Sequence, residues 1–321
     1  LTTAPALPAT ALAESCYEKM FYRCTSIKLS ATQTSEYTIP YRIPFEGTGV
    51  TEFEALTNMF TNTGGTFSGT PQINTTYYLW NPIDTNFLTF SSENPFTLGV
   101  TNKQWNGTVE YSTDKENWST WRGTPALSSN SENELYLRGV GNTSFYNYST
   151  YRYTTFVLTS PTNSGISCTG NIETLLDYQT VTNGQHPQMD QGCFHRLFEN
   201  CTLLLSAPVL QATTLSQGCY YQMFAGCTSL TSAPDLPATT LTVSCYSGMF
   251  SGCTSLASAP SLPAAILDVQ CYQGMFSGCT SLTSAPELSA MTLVTTCYEG
   301  MFNGCASLTS APALPATALA G

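Results

Sequence analysis

Residues 245–270 read CYSGMFSGCTSLASAPSLPAAILDVQ, and this stretch returns at a period of 26 residues. The frame opens at Cys193 (CFHRLFENCTLLLSAPVLQATTLSQG), at Cys219 (CYYQMFAGCTSLTSAPDLPATTLTVS), and again at Cys271 and Cys297. A fixed period in this range marks a stacked-repeat architecture, in which each unit buries its apolar face on its neighbours. Aligning the copies separates fixed from free positions. Both cysteines, the aromatic after the first, the Met-Phe pair, the Leu of Thr-Ser-Leu and the Ala-Pro pair barely change. Two rows vary freely: His195, Tyr221, Ser247, Gln273, Glu299, and Val209, Asp235, Ser261, Glu287, Ala313. Rows that accept a carboxylate, a hydroxyl or a ring are expected to face solvent, and the fixed apolar rows to form the core.

Each unit divides in two. Residues 244–253 hold glycines and allow at most one or two turns of helix. Residues 254–260 are a short extended segment stopped by Pro260, which cannot donate a ladder hydrogen bond. Strands of successive units are expected to run parallel at roughly 4.8 Å, so five units give a stack roughly 20 to 25 Å long.

A core residue, an aromatic, Cys-Thr-Ser-Leu, a Pro-bearing strand end and Leu-Pro together resemble the BspA-like leucine-rich repeat. That family usually carries Ile-Gly where Cys-Tyr stands here, and Ala-Phe where Met-Phe stands. The resemblance covers the units from 193 and residues 1–29 (LTTAPALPATALAESCYEKMFYRCTSIKL). It weakens over 30–80 and does not extend to 81–160. It implies an α+β repeat fold: a leucine-rich-repeat solenoid of short parallel strands and short helical turns. It also implies a surface protein engaged in adhesion.

In residues 30–80, Leu56-Thr-Asn-Met59-Phe60 matches the Cys-Tyr-x-Met-Phe segment in degenerate form, as a cap would. From 81 the period vanishes. Short alternating runs (87–90, 96–100, 108–112, 134–138, 151–158) are separated by turn residues, which predicts a small all-β sandwich interrupting the array. Glu110-Tyr-Ser-Thr-Asp with Trp118 and Trp121, and Leu135-Tyr-Leu-Arg-Gly, resemble the Ig-like modules that accompany these repeats in surface proteins of gut bacteria and their phages. The expected organisation is an array end over 1–80, an Ig-like sandwich over 81–160, and a second array over 161–321, its regular units starting at Cys193.

Twelve of the 13 cysteines form six Cys-x7-Cys pairs, and Cys168 is the odd one. The favoured reading is free, buried thiols in core positions. One short bridge per turn is the alternative. Zinc is disfavoured because structural sites space paired ligands by two to four residues, and His186 and His195 are the only imidazoles. No metal or cofactor is expected, and no catalytic set: neither histidine lies in a hydrolase motif, and His186 is read as a surface residue. Asp235 and Glu287 share a solvated row, two units apart.

Charged residues make up 10% of the chain, and the net charge is −11. That argues against nucleic acid, which is bound through clustered Lys and Arg. No apolar run reaches the length of a membrane span. The expected function is binding at the cell surface or outside the cell, to a host or cell-surface protein or a glycan, with a structural spacer in a surface or phage fibre as the alternative. Candidate contact residues are Trp118, Trp121, Tyr146, Tyr148, Tyr151 and Tyr153 in the β-rich segment, with Tyr221, Asp235, Gln273 and Glu287 in the free rows. For the tyrosines, the alternative is that they cover a sheet face. Because residues 1–13 nearly duplicate 308–320, head-to-tail self-association through open repeat ends is also expected.

Overall fold

A computed structural model describes residues 4–34, 37–80 and 86–319. The duplicated ends and the expected boundary at 80/81 fall partly outside these residues. The chain forms two compact units, Leu1–Ile83 and Asp84–Gly321. It is mostly β, with several small sheets, a single helix among the described residues (Thr174–Thr182) and a repetitive C-terminal region.

In the first unit, the segment after Ser15 stacks on the degenerate copy. Amides of Tyr17, Lys19, Phe21 and Arg23 donate to the carbonyls of Ala55, Thr57, Met59 and Thr61 at 2.9–3.0 Å. The Phe21 and Phe60 rings stack at 5.2 Å. A four-stranded sheet in the order Tyr37–Arg42, Thr76–Trp80, Lys28–Ser30, Gly64–Gly65 closes the core around Ile27, Leu29 and Met59. Cys16, expected in a core, is exposed.

In the second unit the repeat takes an unexpected backbone form. Residues 244–253 are neither helix nor strand. Ser244, Gly248 and Gly252, four residues apart, all lie at positive φ (54°, 60° and 75°), and the other copies keep that spacing. A left-handed residue at every fourth position forbids an α-helix. The amides then alternate. Those of Cys245, Ser247, Met249, Ser251 and Cys253 bond back three residues inside the unit. Those of Tyr246, Gly248, Phe250 and Gly252 bond to Cys271, Gln273, Met275 and Ser277 of the next unit at 2.7–3.0 Å. Unit-to-unit bonding thus lies mainly here. In the extended segments it reduces to isolated parallel bridges (Ser206↔Ser232, Thr240↔Ile266, Leu262↔Leu288) and one short pair, Thr292–Leu293 with Ala318–Leu319. Prolines explain the thin ladder, because Pro234, Pro237, Pro260 and Pro263 carry no amide hydrogen to donate.

Two aromatic columns run through the stack. Phe194, Tyr220, Tyr246, Tyr272 and Tyr298 follow one another at 5.8–5.9 Å. Phe198, Phe224, Phe250, Phe276 and Phe302 do so at 5.3–5.8 Å. Near-parallel rings at these separations are offset stacks, the favoured arrangement for like quadrupoles. All cysteines described are free. In the array the second cysteine of a pair is a hydrogen-bond donor as well as a filler: Cys227, Cys253, Cys279 and Cys305 direct Sγ at the carbonyls of Phe198, Phe224, Phe250 and Phe276 in the preceding unit, at 3.0–3.1 Å.

The β-rich segment and the array are one body. Ser119–Trp121, Thr108–Ser112, Glu134–Val140 and Leu88–Ser92 pair antiparallel, in that order. Ile166–Thr169 adds antiparallel to Leu88–Ser92 and parallel to Leu204–Ser206 of the array, so a single sheet crosses the junction. A three-stranded sheet (Leu127–Ser128, Thr97–Val100, Phe156–Thr159) shares the same core, with Phe90 and Phe156 edge to face at 5.9 Å. At the start of the array, Phe145 and Phe156 stand where a preceding unit would place its Tyr and Phe. Phe145 stacks on Phe194 at 6.0 Å, Phe156 meets Phe198 at 5.3 Å, and Cys201 Sγ points at the Phe156 carbonyl at 3.2 Å.

Candidate functional site

Beside that junction, Tyr146–Asn147 and Arg152–Tyr153 form a two-stranded antiparallel hairpin. Ser144 fixes its base, its Oγ accepting from the Tyr146 amide and donating to the Tyr146 carbonyl, both at 3.0 Å. Asn147 Oδ1 accepts from the Thr150 amide at 3.1 Å, which tightens the tip. Tyr148 and Tyr151 project from this tip, 55% and 69% exposed.

The hairpin rings continue into a free row of the array. Tyr151 and Tyr148 lie 5.6 Å apart, Tyr148 and Tyr146 6.3 Å, Tyr146 and His195 4.8 Å, and His195 and Tyr221 4.7 Å. Tyr153 flanks His195 at 5.2 Å. Gly192 makes the approach possible, since a Cβ there would stand 2.6 Å from Tyr146 Cδ1. Burial first, and the Arg196 cation second, push the His195 imidazole down to about 4, so it is neutral at ordinary pH. Arg196 donates through Nη1 to Tyr153 Oη at 3.1 Å and pairs with Glu199 at 3.1 Å, while its Nε is buried without a partner.

Five of the ten residues singled out in the sequence therefore meet in one place: Tyr146, Tyr148, Tyr151, Tyr153 and Tyr221. The others lie apart. Trp121 is buried against Trp105 at 5.6 Å and donates Nε1–H to the Pro125 carbonyl, which makes it a core residue. Trp118 is half-buried in a cluster of its own. The Arg138 guanidinium lies 4.1 Å from both the Trp118 and Tyr178 rings and pairs with Glu110 at 2.6 Å. Asp235 and Glu287 are exposed on the array, and Gln273 donates to Glu299 of the next unit at 2.6 Å.

Two features of the free row went unread in the sequence. His195 is a ring in the column, where solvent exposure was expected, and Ser247 in the same row is buried. The repetition gave a signal for His195, because Tyr221 occupies the same position one unit later; the hairpin that covers it gave none. His186 is exposed, in line with the surface reading, but it is held by a partner. Its Nδ1 lies 3.0 and 2.8 Å from the two oxygens of Glu173, whose side chain is fully buried. The hydrogen bond to Glu173 raises His186, against the opposing effect of burial. Among the described residues no group of three or more His, Cys, Asp or Glu is placed to hold a metal ion, and no helix is long and apolar enough to cross a membrane.

Comparison with protein-family models, with curated proteins and with solved structures finds no match for this chain.

Proposed function

We propose that this chain is a non-enzymatic binding module of a cell-surface or extracellular protein, and that the ring track from Tyr151 to Tyr221 is its contact surface. In this reading the array is a leucine-rich-repeat solenoid of the BspA-like kind, and the β-rich segment is an Ig-like sandwich that both caps it and carries the contact hairpin. One observation carries the reading: exposed Tyr148 and Tyr151 continue without a break into rings of a free row. Tyrosines provide large, stiff contact area at low entropic cost, and loops on a rigid scaffold are where recognition concentrates. The target class is a host or cell-surface protein or a glycan.

A spacer role is the second reading, favoured by the exposed threonines. Thr231, Thr254, Thr280, Thr283 and Thr309 each tie a hydroxyl to a carbonyl of the preceding unit at 3.3–3.5 Å, which stiffens the stack without offering a contact face. Printed arrays of host matrix proteins and glycans separate the two, probed with the intact chain and with the double variant Tyr148→Ala/Tyr151→Ala. The binding reading expects signals that the double variant loses. Signals unchanged by the variant, or none with either protein, favour the spacer.

A further inference from the structure

The ring track borders a cleft of about 190 Å³ lined by Tyr146, Tyr148, His195 and Tyr221, with Gln191, Gln217, Ser244 and two glycines. No carboxylate, ammonium or guanidinium lines it, although the chain as a whole carries a net charge of −11. The one titratable cation among its walls, His195, is held neutral by burial. An anionic ligand would find no Arg or Lys to pair with, and a cationic one no carboxylate. The chemistry on offer is aromatic faces together with side-chain amides that both donate and accept and a serine hydroxyl that accepts.

The repeat itself defines the floor. Gly192, Gly218, Ser244, Gln270 and Thr296 occupy one position in successive units, all at positive φ. Over Gly192 lies the Tyr146 ring, so close that a Cβ would collide with it. Over Gly218, 26 residues on, a Cβ would meet nothing within 4 Å. The array thus presents the same flat glycine platform twice, once roofed by an aromatic ring and once open between rings.

We propose that the cleft at Gly218 binds an uncharged pyranose unit of a glycan. This rests on the reading of the ring track as the contact surface and names its ligand class. A pyranose has an apolar C–H face that suits a tyrosine ring. Its hydroxyls both donate and accept, as the side-chain amides of Gln191 and Gln217 do, and Ser244 Oγ, which donates to Gln270 Oε1 at 3.3 Å, can still accept. A proline-rich peptide also stacks on tyrosine clusters. Its proline residues offer carbonyl acceptors but no N–H donor, however, and would leave the side-chain oxygens of Gln191 and Gln217 unmatched at a cost.

The test is calorimetric titration of the 321-residue chain with hexasaccharides of neutral glucans, mannan and galactan. An oligogalacturonate, a heparin fragment and an oligoproline serve as comparators. The informative variant is Gly218→Gln, which places in the cleft a side chain the array already carries at Gln270 with φ 58°. It is expected to fold with a thermal midpoint lowered by only a few degrees, the cost of a left-handed non-glycine residue. At least one neutral hexasaccharide should bind, with Tyr148→Ala weakening it roughly tenfold or more and Gly218→Gln abolishing it. The inference is overturned if no neutral hexasaccharide binds at millimolar concentration, if oligoproline or a charged glycan binds in its place, or if Gly218→Gln binds as the parent does. If Tyr148→Ala/Tyr151→Ala still removes array signals while no sugar titrates, the contact surface stands and only the ligand class falls.

Discussion

The Phe145 amide donates to the Cys193 carbonyl at 2.7 Å, the same bond that Tyr220 makes to Cys245 and Tyr246 to Cys271. Phe156 repeats the imitation, its amide donating to Leu197 at 2.7 Å as that of Phe224 does to Met249. The β-rich segment thus ends the array by reproducing one face of a unit from two residues eleven positions apart, with no repeat sequence of its own.

Removing either imitation ring should therefore weaken the array as well as the β-sheets. Phe145→Ala or Phe156→Ala, both fully buried, is expected to cost about 3–5 kcal/mol. Urea unfolding should follow one transition for this unit, reported alike by Trp105 and Trp121 fluorescence in the β-rich segment and by exchange of array amides. An array that melts unchanged while tryptophan fluorescence shifts would contradict this.

The cysteines should sort by burial. A thiol attacks as thiolate, and burial raises Cys201, Cys271 and Cys279 to about 12. Alkylation of the native chain at pH 8, read by peptide mass mapping, is expected to label Cys16 early and the buried cysteines from 193 to 297 only as fast as the chain opens. Cys253→Ala, which deprives the Phe224 carbonyl of a donor and leaves a small void, should cost about 1–3 kcal/mol in denaturant titration.

The two histidines should bend the stability profile in opposite directions. Glu173 raises His186 in the folded chain, so that pair contributes fully below about pH 6.5, and the contribution fades as pH rises through the folded value. Burial lowers His195 to about 4, so its contribution is present above about pH 6.5 and drains away as pH falls toward 4. His186→Gln should flatten the neutral-to-basic limb, and His195→Phe the acid limb, in thermal melts taken across pH. A His195→Phe profile that superimposes on the parent below pH 6 would refute the second assignment.

Thr296 is a misfit at its position. It is β-branched at φ 53°, and its hydroxyl is buried without a partner. Thr296→Gly, matching Gly192 and Gly218, is expected to stabilise the unit by about 1 kcal/mol, measured as a higher denaturant midpoint.

The period, the inward rows and the β-rich interruption were legible because repetition exposes what each position tolerates. Tyr220, Tyr246 and Tyr272 could be placed in a core from three copies alone. The backbone of the Cys-x7-Cys segment was not legible. Its left-handed positions are occupied by Ser244, Gln222 and Arg196 as well as glycine, so composition hides a conformation that inter-unit bonds impose. The strand ladder was over-read, because prolines at 234, 237, 260 and 263 remove the donors such a ladder needs. At the proposed contact surface the tyrosines were visible, but their meeting with His195 and Tyr221 depends on a hairpin docking across some fifty residues of chain. Trp121 could not be told from Trp118 until the Trp105 ring and the Pro125 carbonyl were seen to take it inside.

The alternation of amide partners also has a mechanical side. Bonds that return three residues lie within a unit, whereas those of Tyr246, Gly248, Phe250 and Gly252 point along the stack. Under tension along that axis, the bonds within one gap share the load, and successive gaps carry it in series. Such a body should yield by parting between units while each turn segment keeps its internal bonds, and rejoining needs only that two matching faces meet again.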